Sequence, residues 1–262
     1  MCRFLAYQGE PILLEQLVAT PCYSLIHQSL HAVEAPCSTN GDGFGLGWYG
    51  ERPQPGIYRE VRPAWSDENL RAICAQVRSG QFFAHVRAST GTHTSRTNCH
   101  PFGAEKFMFM HNGQIAEWAR VRRVVENLIP DEFYGTRIGS TDSEAIFLAA
   151  FARGLREDPV AALRDTLRLV KRAMLEAGVE DPLHFTATLS DGETLWAFRW
   201  SCDDAPASLY YQETTSGVTL VSEPIDDNRA GWQMVPQQST LIVRGGRVVD
   251  LRMEDRGLRA AA

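Results

Sequence analysis

Two helices in succession, over residues 141–152 and 159–178, interrupt a chain whose other strong patterns are mostly strands, and few architectures accept that order. Thr141-x-x-Glu144 is a capping box that opens the first helix, with Ile146, Leu148, Ala149 and Ala152 as its apolar face. The second starts near Pro159 and stops at Gly178. Ahead of them, residues 82–86 and 107–110 are short apolar runs that predict buried strands. Behind them, residues 184–189 and 194–200 flank Asp191-Gly192, a hairpin signal. Strand patterns follow over 209–212, 218–221 and 240–243, and Gly245-Gly246 turns the chain into Val248. Strands, two helices, then more strands imply an α+β layered fold with helices covering antiparallel sheets.

The first eighty residues carry more local signals. Pro11 precedes an apolar-periodic run, Leu13, Leu14, Leu17 and Val18, which predicts a short helix ending before Pro21. Residues 40–50, N-G-D-G-F-G-L-G-W-Y-G, hold five glycines, so the backbone there turns tightly or approaches something closely. The run lacks G-K-[ST] and is no phosphate loop; its alternating Phe44, Leu46 and Trp48 predict a strand with glycines on the other face. Ser66-Asp67-Glu68 caps a helix whose buried stripe is Leu70, Ile73, Cys74 and Val77.

With 26 basic and 32 acidic residues the net charge is −6, which argues against a nucleic-acid partner and against anionic membranes. No stretch approaches the ~18 apolar residues of a membrane span. Residues 1–15 lack the basic and apolar regions of a secretory signal. The composition, 44% hydrophobic and 22% charged, without repeats or linkers, reads as one cytoplasmic globular domain over 1–262.

The cysteines are Cys2, Cys22, Cys37, Cys74, Cys99 and Cys202, and no two are spaced C-x-x-C, which disfavours a zinc ribbon or a redox pair. Cys2 differs by position. Once Met1 is removed, as a small second residue permits, a thiol and a free α-amine share one residue. With a reference pKa near ~7.7–8.0, part of that amine is unprotonated at neutral pH and can act as a built-in base. His27 and His31 stand at i, i+4 but lack a third ligand nearby and are taken as packing or surface residues, so no metal is expected.

Six segments then line up: M-C-R-F-L, N-G-D-G-F-G at 40–45, F-A-H-V-R-A-S-T at 83–90, T-N-C-H-P-F at 97–102, M-H-N-G at 110–113 and G-S-T-D-S-E at 139–144. Together with V-S-E-P at 221–224 they resemble the class II glutamine amidotransferase family. M-C-R-F-L, P-A-W at 63–65, V-R-A-S-T and T-N-C-H-P-F look closest to the stand-alone branch that degrades glutathione in yeast, and γ-glutamyl hydrolases of ergothioneine synthesis are a more distant likeness. The resemblance implies a four-layer αββα sandwich of two antiparallel sheets, the N-terminal nucleophile hydrolase fold. It implies no cofactor, Cys2 as nucleophile, and Asn112 and Gly113 as donors to the oxyanion. Arg87 would clamp the substrate α-carboxylate, Asp142 its α-ammonium, and His100, grouped with these substrate-binding residues, would order the loop near the site. Asn40, Gly41, Asp42 and Gly43 would wall the pocket. His85 reads as a satisfied core histidine. Where many family members carry Trp after the clamp arginine, this chain has Ala88.

The chemistry so implied is cleavage of a γ-glutamyl amide, in glutamine or a γ-glutamyl compound such as glutathione, through a thioester on Cys2. Two alternatives stand beside it: a glutaminase subunit supplying ammonia to a synthetase partner, and a non-catalytic γ-glutamyl-binding homologue. A peptidase-like partner subunit is also compatible with the resemblance.

Overall fold

The computed structural model describes residues 2–34, 38–89, 93–203 and 205–253. Thirteen strands and seven α-helices are assigned among them: β1 Arg3–Leu13, α1 Glu15–Val18, α2 Leu25–Leu30, β2 Phe44–Trp48, β3 Gly56–Glu60, α3 Glu68–Gln76 and β4 Arg78–Val86 in the first third. Then come β5 Phe102–Ala104, β6 Phe107–Gln114, α4 Trp118–Glu126, α5 Asp131–Tyr134, α6 Asp142–Ala150 and α7 Pro159–Glu176. The last third is β7 His184–Ser190, β8 Thr194–Ser201, β9 Tyr210–Glu213, β10 Gly217–Val221, β11 Gln233–Met234, β12 Ser239–Arg244 and β13 Arg247–Met253.

The strands form two antiparallel sheets, β11-β9-β10-β1-β4-β2-β3 and β13-β12-β8-β7-β6-β5. Because side chains alternate along a strand, each sheet has two apolar faces, and three cores separate four layers. Phe4, Ala6 and Phe83 of the first sheet meet Met108, Met110 and Leu241 of the second between the sheets. Leu5, Phe44 and Phe82 on the outer face of the first sheet pack under α1–α3, through Val18, Leu25 and Leu70. Phe109, Phe185 and Phe198 on the outer face of the second sheet pack under α4–α7, through Val121, Phe147 and Leu167. This is the αββα sandwich that the resemblance implied.

Local chemistry explains most element ends. Asp67 caps α3 by accepting from Leu70 N at 2.7 Å, and Thr141 caps α6 by accepting from Glu144 N at 3.2 Å. The capping box is only half closed. The Glu144 carboxylate turns instead to Ile138 N and Gly139 N, at 3.3 and 2.8 Å, and so fastens the loop ahead of the helix. One expectation is revised more strongly: residues 11–13 belong to β1, and α1 is a single turn. Gly9 and Pro11 disguise the strand, whose register shifts between Gln8 and Ile12.

Candidate active site

Cys2 and Arg87 are brought together by the central strand pair. Arg3 stands opposite Val86, so the residues just beyond them, Cys2 and Arg87, project from adjacent strand ends toward the second sheet. Cys2, Arg87, His100, His111, Gly113 and Asp142 line one cavity of about 880 Å³, which runs on to the N-terminal half of α4 at Trp118, Arg120 and Arg122. Cys2 is half-buried, and its thiol donates to the Ala88 carbonyl at 3.5 Å. Burial pushes that thiol above its ordinary pKa, and the Arg87 and Arg3 charges pull it back.

Asn112 does not line the cavity. Its amide donates to the Cys2 carbonyl at 2.9 Å, fixing the backbone of Cys2 across the gap between the sheets. One amide hydrogen remains for another acceptor. Gly113 is next to it, and a side chain there would collide with the His184 carbonyl and the His111 ring.

Arg87 is buried and braced from behind. Its N–H donates to Gly43 O at 2.8 Å, and its guanidinium reaches Asp42 O at 3.4 Å and Ser89 Oγ at 3.0 Å. The Asp42 carboxylate accepts from Ser89 N at 2.7 Å. Thus Asp42 and Gly43 support Arg87, and none of the four residues 40–43 walls the cavity. Asp142, at the start of α6, accepts from Ile115 N at 2.6 Å and Ser143 N at 2.8 Å, tying the end of β6 to the helix.

The glycine face of β2 explains how His100 arrives. A side chain at Gly45 would strike the His100 carbonyl, one at Gly43 would come within 2.7 Å of Cys99 Sγ, and one at Gly47 within 2.7 Å of Pro101. Residues 99–101, with a cis His100–Pro101 bond, lie against this bare strip. The His100 ring packs against that of His85, with ring centroids 4.4 Å apart and tilted by 33°. Both are buried, and their four ring nitrogens have no hydrogen-bond partner among the described residues. His85 is therefore not the satisfied core histidine expected. Burial holds both rings neutral, pushing His85 down to about 3 and His100 well below the usual range.

Two supporting residues were not assigned from sequence. His111 lies within the quoted M-H-N-G, but only the structure joins it to Ser143. Its Nε2–H tautomer donates to His184 O at 3.3 Å while Nδ1 accepts from the Ser143 hydroxyl at 2.9 Å. Asn98 links two loops, donating to His93 O at 2.9 Å and accepting from Ser140 N at 2.8 Å. Cys37 lies outside the described residues. Among the described residues, no group of three or more His, Cys, Asp or Glu side chains is placed to hold a metal. No helix among them is long and apolar enough to cross a membrane.

Sheets, layers and a cysteine at the head of a central strand define the N-terminal nucleophile hydrolase class of fold. Residues 1–212 match the family described as class-II glutamine amidotransferases, and the chain belongs to that family of enzymes. It is 32% identical over 93% of its length to the probable glutamine amidotransferase DUG3 of Saccharomyces cerevisiae, covering 82% of that protein. It is 27% identical over 95% of its length to the γ-glutamyl-hercynylcysteine sulfoxide hydrolase of Mycolicibacterium smegmatis, covering 98% of it. Among solved structures, a glutamine aminotransferase class-II domain protein from Silicibacter pomeroyi is 36% identical, with a TM-score of 0.78 over 97% of this chain and 100% of that one.

Proposed function

We propose that this protein hydrolyses the γ-glutamyl amide bond of γ-glutamyl compounds through a γ-glutamyl thioester on Cys2, with residues 1–262 acting as one cytoplasmic domain. The observation that carries the reading is the convergence of the Cys2 thiol, the Arg87 guanidinium and the Asp142 carboxylate on one cavity. An electrophilic centre and a zwitterionic amino-acid head, set apart by a short methylene chain, are what a γ-glutamyl group presents. Arg87 takes the α-carboxylate and Asp142 the α-ammonium, each held rigid by backbone partners.

In this mechanism the Cys2 sulfur attacks the γ-carbonyl carbon while the thiol proton passes to the Cys2 α-amine, freed by loss of Met1. Negative charge gathers on the carbonyl oxygen, where the cavity-lining Gly113 N–H is one donor and the Asn112 amide becomes the other by turning its second hydrogen toward the cavity on substrate binding. The tetrahedral adduct collapses, the C–N bond breaks, and the α-ammonium gives its proton to the departing nitrogen. Water then adds to the thioester, again with its proton going to the α-amine. The C–S bond breaks, the proton returns to sulfur, and glutamate leaves. His100 orders the cavity wall on the substrate side.

The cavity extends well past the head-group residues toward α4, which supports leaving groups larger than ammonia, glutathione among them. The name of the mycobacterial relative, a γ-glutamyl-hercynylcysteine sulfoxide hydrolase, points the same way. An electrophilic glutamine analogue should label Cys2 alone, and Cys2→Ala should abolish labelling; modification at Cys99 instead sinks the assignment. Glutamate release from glutamine, glutathione and other γ-glutamyl amides identifies the leaving group. Fast turnover of glutamine with the others inert would replace hydrolysis by ammonia supply to a synthetase partner.

A further inference from the structure

Arg3 follows the nucleophile in sequence but points to the opposite face of its sheet, alongside Val86 and beneath α2. It is fully buried, and Nε, Nη1 and Nη2 have no hydrogen-bond partner among the described residues. Two carboxylates stand near it and both are engaged elsewhere. Glu223, 2% exposed, accepts from Val33 N at 3.1 Å and Glu34 N at 2.9 Å. Glu34 pairs with Arg229 at 2.8 Å. A buried charge without a direct counter-ion is costly, and an apolar side chain would fill the same space beside Val86. What an apolar residue could not supply is a fixed positive charge one residue from Cys2.

We propose that Arg3 is a positioning residue for the catalytic base: its buried, unpaired charge keeps the α-amine of Cys2 in the uncharged form that accepts the thiol proton. The inference rests on the reading of Cys2 as an N-terminal nucleophile. A neighbouring cation penalises protonation of an amine, and the low-dielectric interior on this side of the sheet transmits that penalty with little screening. The other charged groups around Cys2 can be set out by element. Arg87, at the end of β4, acts in the same direction as Arg3. Glu223, after β10, and Glu34, after α2, act against it. Across the cavity Asp142 of α6, which accepts from backbone N–H groups, also acts against Arg3, and Glu117 of the α4 rim pairs with Arg120 at 2.7 Å. His85, His100 and His111 are held neutral by burial, and Cys99 is a buried thiol.

The test is the pH dependence of kcat/KM for glutamate release in the full-length enzyme with Met1 removal verified by intact mass. Arg3→Met should move the acid limb upward by about one pH unit, and Arg3→Lys, which keeps the charge, should leave it near the wild-type position. Glu223→Gln, which keeps an acceptor for Val33 and Glu34 but removes the opposing charge, should move the limb downward. Opposite shifts from these two variants are not produced by a packing role. A folded Arg3→Met with an unmoved limb overturns the proposal. If Arg3→Met does not fold, the Glu223→Gln profile decides alone, and an unmoved or upward limb overturns it. A wild-type enzyme that is active with Met1 retained, or an active Cys2→Ala, removes the nucleophile reading itself and is distinguished from either result.

Discussion

The two outer layers of the sandwich are built from opposite materials. Under α4–α7 the core is rich in rings, beside buried His111, Glu144, Thr166 and Lys171: Phe109 stacks on Phe147 at 5.3 Å and 6°, and Phe198 meets Trp200 edge-on at 4.9 Å. Under α1–α3 the apolar core is interrupted by buried Arg3, Gln28, Ser29, Asn40 and Glu223, clustered near the start of β1. Gln28 alone donates to Tyr23 O at 2.9 Å and Glu223 O at 3.1 Å. The first layer is closely packed around its rings, where large-to-small changes are costly. The second trades apolar area for polar groups that hold the chain's beginning in one place. The start of the nucleophile's strand is thus held from the α1–α3 side, while α4 and α6 on the other side supply cavity walls through Trp118, Asp142 and Ser143. Substitutions deep in the ring-rich core can therefore be pulled apart from those at the cavity.

The largest effect is expected in the apolar layer. Phe198 is fully buried on β8, away from the cavity, so Phe198→Ala should cost about 3–5 kcal/mol. Urea denaturation should show the lower midpoint, while the fraction still folded keeps its labelling at Cys2. Loss of labelling in folded protein would show that the two layers are not separable.

Next is the glycine strip of β2. Gly45→Ala drives a methyl into the His100 carbonyl, a backbone group that cannot rotate away. Overpacking of this kind costs about 1–3 kcal/mol, and the displaced segment carries a cavity residue. Activity should therefore fall further than stability does. Gly50, with nothing within 4 Å, supplies the control: Gly50→Ala should leave glutamate release at the wild-type rate.

How much of this could be read in advance varies with the kind of signal. Strands β2, β4, β6, β7 and β8 and helices α3, α6 and α7 follow from periodicity and caps, because their sides face apolar cores or glycine-bearing turns such as Gly192 at φ +92°. β1 was not legible, since Gly9 and Pro11 interrupt it and its pairing is entirely non-local. α4 was missed although Val121 and Val125 mark its buried side, because Glu117 precedes it in a left-handed conformation with no side-chain cap. In the site, Cys2, Arg87, Gly113, Asp142 and His100 line one cavity, whereas Asn112, drawn from the same motifs, does not. The glycines of 40–47 announced a close approach without saying to what. The partner, residues 99–101, lies far along the chain, and only the fold supplies that contact.

Acid should act on the site rather than on the apolar layer. His85 is lowered to about 3, and His100 and His111 are also lowered by burial, His111 against the pull of Asp142. The unfolded chain binds protons at these histidines below about pH 6.5 and the folded one does not. Stability is therefore lost as pH falls from there, by up to ~1.4 kcal/mol per pH unit for each ring. Urea midpoints measured from pH 7 to pH 4.5 should fall, and His85→Leu should flatten the slope. An unchanged slope would mean that His85 titrates normally in the folded protein.

The smallest expected effect lies where the two roles meet. α6 presents apolar residues to the ring-rich core while its first turn carries Asp142 and Ser143 into the cavity. Thr141 caps that turn through Glu144 N, so Thr141→Ala should cost about 1 kcal/mol. The Glu144 carboxylate still holds Ile138 and Gly139, so the preceding loop stays in place and only the first turn loosens. Asp142 would then keep its charge but lose definition, which should raise KM for γ-glutamyl substrates more than it lowers kcat. Thr141→Ser retains the accepting oxygen and should restore KM. If Thr141→Ala lowers the urea midpoint while leaving KM untouched, α6 belongs to the stability layer alone, and Asp142 is positioned by its contact with Ile115 N rather than by the helix cap.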